Sequence, residues 1–312
     1  MSELPPVAAT TAAAGVDGGV SALDEAYAWC ERLARSRREN FPVGSRLLPR
    51  AIRRDLWAIY AFARVADDWA DEPDRGTAEV RLARIADWQA RAEAAHRGDL
   101  EAATAGAGPA RFVFTALAAT MRQRALPLEP FADLLAAFAQ DVSTARYATW
   151  EALLDYCRRS ADPVGRLVLL VHGYRDEALV RLSDALCTAL QLTNHWQDLA
   201  LDLRHRGRLY VPLNDMAVFG VSESDLARGV CTDAYRRLMG ALAERTRAFY
   251  DTSRPLPARV GRELRMELRL VWHGGRTILE RTEAAGFDVW RRRPSLGRLA
   301  VARLLVKASL GR

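Results

Sequence analysis

One lysine, Lys307, stands against 44 arginines in this chain of 312 residues, so the net charge of +6 and the pI near 9.4 are carried by arginine. A basic balance raises nucleic acid or an anionic surface as a partner. The arginines are spread along the chain without a basic block interleaved with aromatics, which speaks against nucleic acid. Abundant alanine beside them points to coding bias as one source of the composition. Cysteine is scarce as well. Cys30, Cys157, Cys187 and Cys231 stand singly, with no CxxC pair and no Cys/His cluster. That argues against zinc and against a disulfide framework, and fits a reducing cytoplasm. No run of about 18 apolar residues occurs, so a transmembrane helix is not expected. The opening MSELPPVAATTAAAGVDGGV lacks the basic start and Leu-rich stretch of a secretory signal, and its Ala, Thr, Gly and Pro content reads as a disordered leader over 1–20. Neither GxGxxG behind a strand nor GxxxxGK[ST] is present, so a nucleotide fold is not supported.

What the chain has in quantity is helix-forming sequence. Half its residues are hydrophobic, enough for a sizeable core, and Ala, Leu, Arg and Glu dominate without period-2 alternation. The pattern predicts helices over 21–36, 50–71, 77–97, 110–124, 130–143, 150–174, 176–203, 223–228, 232–252, 258–284 and 296–309. Thr149 and Ser222 suit N-caps, and Pro or Gly falls between most elements. The stretch 98–111 reads as a connection. With no repeat and no long internal linker, one all-α domain over 21–290 is expected, followed by a basic, apolar tail over 291–312 that reads as helical.

Two stretches carry chemistry. Residues 60–72 read YAFARVADDWADE, and at about 100° per residue Tyr60, Arg64, Asp67, Asp68 and Asp71 share one helical face. Like charges three and four apart repel, and a helix C-terminus disfavours anions, so a purely structural helix gains nothing here. Taken alone, DDxxD is also compatible with a solvated helix end. Residues 191–202, QLTNHWQDLALD, place Gln191, Asn194, Asp198 and Asp202 on a second such face. Carboxylate and amide oxygens are the ligands magnesium prefers, completed by substrate phosphates. Two facing acidic helices therefore predict a Mg²⁺–diphosphate cluster, with Arg64, Arg204, Arg208 and Tyr210 as neighbours for the phosphate oxygens.

The pairing of YAFARVADDWADE with QLTNHWQDLALD and GRLYVP, in consistent order over roughly 25–285, resembles the squalene/phytoene synthase family of head-to-head prenyl diphosphate synthases. The resemblance implies the all-α isoprenoid-synthase fold, one large helical domain around a central cavity, with Mg²⁺ as cofactor. It implies Asp67, Asp68, Asp71, Asp198, Asp202 and Tyr156 as catalytic positions. Of these, Asp67, Asp71, Asp198 and Asp202, together with Asn194, would hold the metal. Arg64, Asn40, Phe41, Tyr60, Gln191, Asn194, Arg208 and Tyr210 would face the substrate and its diphosphate. Phe138 and Trp196 are further aromatics at helical spacing, for which a core role is the simpler account. His195 suits a core or supporting role, and no role is derived for Asp141, Arg146 and Tyr147.

Two stretches depart from the common family pattern. ENFPVGS replaces a Ser-Phe pair, and YCRRSADPVG at 156–165 replaces YCxxVAGxVG. Both resemble the hydroxysqualene synthases of the bacterial hopanoid pathway. That resemblance implies a carbon–oxygen lyase acting on presqualene diphosphate and water. It also implies functional coupling to a presqualene diphosphate synthase and to a flavin-dependent reductase that forms squalene. Pro163 removes a helix hydrogen bond, and Ser160 and Asp162 add polar groups, a pattern that would let either orient a water. The bland alternative has Ser160 bonding back to its helix and Asp162 pairing with an arginine. A condensing synthase joining two prenyl diphosphates, and a non-catalytic assembly factor, are the other readings; five retained aspartates argue against the last. The tail RRRPSLGRLAVARLLVKASLGR suits either peripheral contact with the inner face of the cytoplasmic membrane or packing on its own domain.

Overall fold

The computed structural model describes residues 21–37 and 48–297, with Ala300, Leu304, Leu305 and Ala308 of the tail. The leader over 1–20 and the ENFP stretch, with Asn40 and Phe41, lie outside the described residues. Every named element among those described is a helix.

The N-terminal half is built from α1 (Ala22–Ser36), α2 (Arg50–Asp71), α3 (Ala78–Arg97), α4 (Leu100–Thr104), α5 (Arg111–Arg124) and α6 (Glu129–Ser143). Ser21 caps α1 by accepting from the Asp24 amide at 3.1 Å, and Thr77 caps α3 in the same manner. Their apolar faces meet around Phe62 of α2, which packs against Trp88, Phe114 and Phe131 at centroid distances of 6.0, 6.4 and 5.4 Å. Aromatic rings at such offsets add to the area they bury. The five-residue α4, in a stretch expected to be only a connection, starts where Asp99 accepts from the Ala102 amide at 3.0 Å.

The C-terminal half comprises α7 (Trp150–Ser160), α8 (Asp162–Val171), α9 (Glu177–Leu201), α10 (Leu213–Phe219), α11 (Glu223–Arg228), α12 (Asp233–Ser253) and α13 (Arg262–Ala284). The single helix expected over 150–174 breaks at Ala161. Pro163 has no N–H to return to the Arg159 carbonyl, so a new helix begins with Asp162 in its first turn. The helix expected to reach 203 ends as an α-helix at Leu201 and continues as one π-turn over Asp202–Arg206. The first turn expected at 258 is instead a 3₁₀ turn over Leu256–Arg259, ahead of α13. Thr149 and Ser222 cap as expected, the latter in a full capping box with Asp225.

α9 is the central strut. Two glycines admit its neighbours: a Cβ at Gly165 of α8 would overlap Ser183 and Cys187, and one at Gly275 of α13 would overlap Leu190 and Tyr250. Trp196 is fully buried and donates to Thr246 Oγ1 at 2.9 Å, so it is core. Phe138 is buried as well. Of the tail, Leu304 and Ala308 are buried, and Arg269 of α13 donates to the Ala308 carbonyl at 3.1 Å. These described tail residues pack on the domain. No helix among the described residues is long and apolar enough to cross a membrane.

Candidate active site

The C-terminal ends of α2 and α9 deliver their acidic faces to one place. Asp67 and Asp71 of α2, Gln191, Asn194 and Asp198 of α9, and Asp202 of the π-turn line a cavity of about 140 Å³. Tyr156 of α7 closes one side, and Arg208 and Tyr210 of the following loop another. Nine residues expected at the site from the sequence thus share one wall system.

Arginines answer the repulsion that these carboxylates would otherwise suffer. Arg208, almost wholly buried, donates through Nη1 to Asp71 Oδ1 at 2.6 Å and through Nη2 to the Ala70 carbonyl at 2.7 Å. Its Nε donates to the Asp141 carbonyl at 3.1 Å. Arg206, one turn after Asp202, bridges the two motifs: Nη1 lies 2.7 Å from Asp202 Oδ1 and Nη2 3.0 Å from Asp71 Oδ2. Burial pushes the Asp202 carboxyl up to about 6 against the pull of Arg206. The enclosed position of Asp67, and then Asp71 beside it, push the Asp67 carboxyl upward, while Arg64 pulls it back. Arg204, considered from the sequence, is exposed.

Three residues of the site are not expected on its wall from the sequence, where His195 reads as core or supporting. Asp141 of α6 is a hub: Tyr156 donates to its Oδ2 at 2.7 Å and Tyr210 to its Oδ1 at 3.1 Å. Burial raises its carboxyl to about 6 despite Arg208. His195 stacks on Tyr210 at 3.8 Å, and burial followed by Arg208 lowers it to about 3, so the ring is neutral. Arg206 is the third. Its spacing of four from Asp202, itself four from Asp198, was the available signal. Tyr147, Tyr156 and Tyr210 pack at 5.3–5.6 Å, forming with His195 an aromatic wall. Burial holds the Tyr156 and Tyr210 phenols far above their ordinary range, so both stay protonated.

Other expected residues fall elsewhere. Asp68 does not line this cavity. It is buried beside Arg37, which donates to its Oδ2 at 2.6 Å, and Arg64, whose Nη2 makes a 2.6 Å ion pair with Oδ1 without hydrogen-bond alignment. The face was read correctly, but two adjacent residues diverge by about 100°, and only Asp67 keeps the cavity side. Arg64 serves the two aspartates, reaching Asp67 Oδ2 at 3.1 Å, and does not line the cavity. Tyr60 packs at the edge of the first core. Ser160 and Asp162 also lie outside this cavity's lining. The Ser160 hydroxyl is buried with no hydrogen-bond partner, so it does not bond back to its helix. Asp162 takes its hydrogen bond from Thr188 Oγ1 at 2.8 Å, because the nearby Arg166 is held by Asp184 at 2.8 and 2.9 Å.

Asp162 carries a measurable pH signature. Burial pushes its carboxyl from 3.8 up to about 7, with the Thr188 bond opposing. The unfolded chain ionises this group near its ordinary value, the folded chain only near neutrality, so its contribution to stability falls as pH rises from about 4 to 7. The first turn of a helix favours the anion and trims the effect. Asp162→Asn, which retains an acceptor for Thr188, is expected to gain about 2 kcal/mol at pH 8 and nothing at pH 4. Urea unfolding at both values checks this; parallel pH profiles for the two proteins would refute it.

The carboxylate and carboxamide oxygens of the cavity fit a hard cation such as Mg²⁺, and His195, the nitrogen ligand type on the same wall, is stacked on Tyr210. Among the described residues no three His, Cys, Asp or Glu side chains form a ready-made cage. Magnesium needs none when substrate phosphates complete its shell.

Residues 34–300 match the family described as squalene/phytoene synthase. The chain belongs to that family. Among curated members, a hydroxysqualene synthase of Zymomonas mobilis is 37% identical, over 69% of this chain and 68% of its own length. A hydroxysqualene synthase of Rhodopseudomonas palustris is 35% identical over 72% of each chain. A phytoene synthase of Arthrospira platensis is 30% identical over 86% of this chain and 87% of its own. Among solved structures, squalene synthase HpnC from Alicyclobacillus acidocaldarius superposes with a TM-score of 0.77 at 40% identity, covering 85% of this chain and 95% of that one. The isoprenoid-synthase fold expected from the two motifs is therefore the fold observed. A squalene/phytoene-type synthase is the activity class these relatives support.

Proposed function

We propose that the protein converts presqualene diphosphate and water to hydroxysqualene and diphosphate, with Mg²⁺, as a step towards squalene and hopanoids. Relatives named hydroxysqualene synthase support this reading. The observation that carries it is the polar pair at the α7–α8 break. Ser160 stands one turn beyond Tyr156 on α7, and Thr188, which holds Asp162, one turn before Gln191 on α9. Both helices thus continue from the aspartate cavity towards an unsatisfied hydroxyl and a buried carboxyl.

In this reading Asp67, Asp71, Asn194, Asp198 and Asp202 hold Mg²⁺, which supplies positive charge that binds the diphosphate and stabilises it as a leaving group. Arg208 and Arg206 add guanidinium donors for the same oxygens. The C–O bond to diphosphate breaks, the cyclopropylcarbinyl cation rearranges, and water forms the new C–O bond and gives up a proton. The ring of Tyr156 offers an electron-rich surface to the cation, and Asp141 fixes the hydroxyls of Tyr156 and Tyr210. Ser160 orients the water and Asp162 takes its proton.

The test is incubation of the protein with Mg²⁺ and presqualene diphosphate, without nicotinamide, and identification of the lipid by mass spectrometry. Hydroxysqualene is expected, and a parallel tube with farnesyl diphosphate alone should yield nothing. Ser160→Val is expected to cut the alcohol by about tenfold, consistent with loss of one positioning hydrogen bond. Presqualene diphosphate or a phytoene-like hydrocarbon from the second tube would instead establish a condensing synthase.

A further inference from the structure

Asp198 lines the cavity with a guanidinium already on it. Arg293, in the segment that follows α13, donates to both its carboxylate oxygens, through Nε to one and through Nη2 at 3.0 Å to the other. The same Nη2 reaches Gln197 Oε1 at 3.3 Å, and Gln197 Nε2 donates to the Pro294 carbonyl at 2.5 Å. Arg281 of α13 holds the Ser295 carbonyl. Residues 293–295 are thus stapled across the end of α9. Arg206 does the equivalent work for Asp71 and Asp202.

We infer that Arg293 and Arg206 are counter-cations of these carboxylates, so that Mg²⁺ binds weakly until diphosphate arrives to release them. The inference rests on the reading of the cavity as a metal–diphosphate site. Its basis is charge and geometry. A divalent cation arriving alone meets carboxylates that already hold guanidinium charge at contact distance, so the two positive charges compete for the same oxygens. Diphosphate brings oxygens that a guanidinium fork binds bidentately, so its arrival gives the displaced arginines a partner. Metal and anion binding then become positively linked, and linkage is reciprocal. Arg293 is the better lever because its side chain is 42% exposed and hydrates when freed, whereas that of Arg206 is 31% exposed and ties two helices together.

The experiment is calorimetric titration of the full chain with Mg²⁺, first alone and then with inorganic diphosphate, for wild type, Arg293→Gln and Arg293→Lys. Wild type is expected to bind Mg²⁺ weakly alone and about a hundredfold more tightly with diphosphate. Arg293→Gln should bind Mg²⁺ alone about tenfold more tightly, with the linkage reduced by the same factor, while Arg293→Lys, which keeps the charge, stays near wild type. Arg206→Gln should act in the same direction, with thermal melting confirming that it folds. Unchanged Mg²⁺ affinity in folded Arg293→Gln, with the linkage intact, would overturn the inference and leave the site reading standing. Wild type that takes up no Mg²⁺ even with diphosphate would bring down both.

Discussion

In the reaction proposed above, Asp198→Asn is expected to lower turnover of presqualene diphosphate by about a thousandfold while leaving thermal stability within about a degree or two of wild type. The two effects separate because of where the side chain sits. Asp198 lies on the cavity face of α9 with 21% of its side chain exposed, and its ion-pair partner among the described residues, Arg293, has a side chain 42% exposed. A pair of that kind contributes at most about 1 kcal/mol to stability, because both ends rehydrate when it is broken. The carboxamide keeps the shape and loses the charge. If Asp198 helps to hold the charge that stabilises the departing diphosphate, that loss falls on the transition state, where removal of one preorganised electrostatic contact costs about a hundred- to a thousandfold. Single-turnover kinetics on presqualene diphosphate, with melting curves alongside, make the comparison. Activity within threefold of wild type would remove Asp198 from the site, and a fall in melting temperature matching the fall in activity would make its role structural.

The parts of this molecule that were legible in the sequence are those written in a regular period. α2 was bounded correctly at both ends, and the aspartates of α9 were placed on one face, because a 3.6-residue repeat maps directly onto geometry. The parts that were not legible depend on local departures or on long-range meeting points. The break between α7 and α8 was anticipated as a kink at Pro163, but not as a second helix start. The π-turn over Asp202–Arg206 has no composition of its own, and the alternating Arg204, Arg206 and Arg208 hid that Arg206 would join Arg208 at the cavity while Arg204 would not. Asp141 sits on α6 with nothing acidic near it in sequence, and only tertiary packing puts two tyrosine hydroxyls and a buried arginine around it. Arg293 is separated from Asp198 by 95 residues. No spacing rule reaches that far.

The same contrast explains Asp68. Periodicity placed it with Asp67 and Asp71, and the helix it stands on is where it was expected. Yet Arg37, from the end of α1, claims one of its oxygens, and the carboxylate turns to the side of the helix. A motif whose three acids all read as catalytic, with Asp67 and Asp71 alone of them expected to hold metal, is in this chain two cavity carboxylates and one that fastens α1 to α2. Asp68→Asn should therefore trouble the fold more than the chemistry, the reverse of Asp198.

Arg208→Ala is the substitution expected to damage both. The guanidinium is 6% exposed and makes three hydrogen bonds to two helices, to Asp71 and the Ala70 carbonyl at the end of α2 and to the Asp141 carbonyl at the end of α6. Its charge is also what keeps Asp141 from rising further above the ordinary carboxylate range, and that charge is held against burial by Asp141 and Asp71. Removing it takes a donor from the Asp141 and Ala70 carbonyls, leaving Ala70 with Arg81 alone, and takes the shared cation from Asp141 and Asp71, of which Asp71 keeps Arg206. Breaking a buried pair from one side costs about 3–5 kcal/mol. For a domain of this size that is a fall in melting temperature of roughly 6 °C or more. Lysine cannot substitute, since a single ammonium on a flexible stem cannot span the fork of partners, so Arg208→Lys should recover only part of the stability. Turnover should fall in both variants, because α2 and α6 lose the tie that holds Asp71 and the Asp141–Tyr156–Tyr210 hub in register across the cavity. Differential scanning calorimetry of the three proteins decides the matter. Equal melting temperatures for wild type and Arg208→Ala would mean that the two helix ends are held together by something other than this guanidinium.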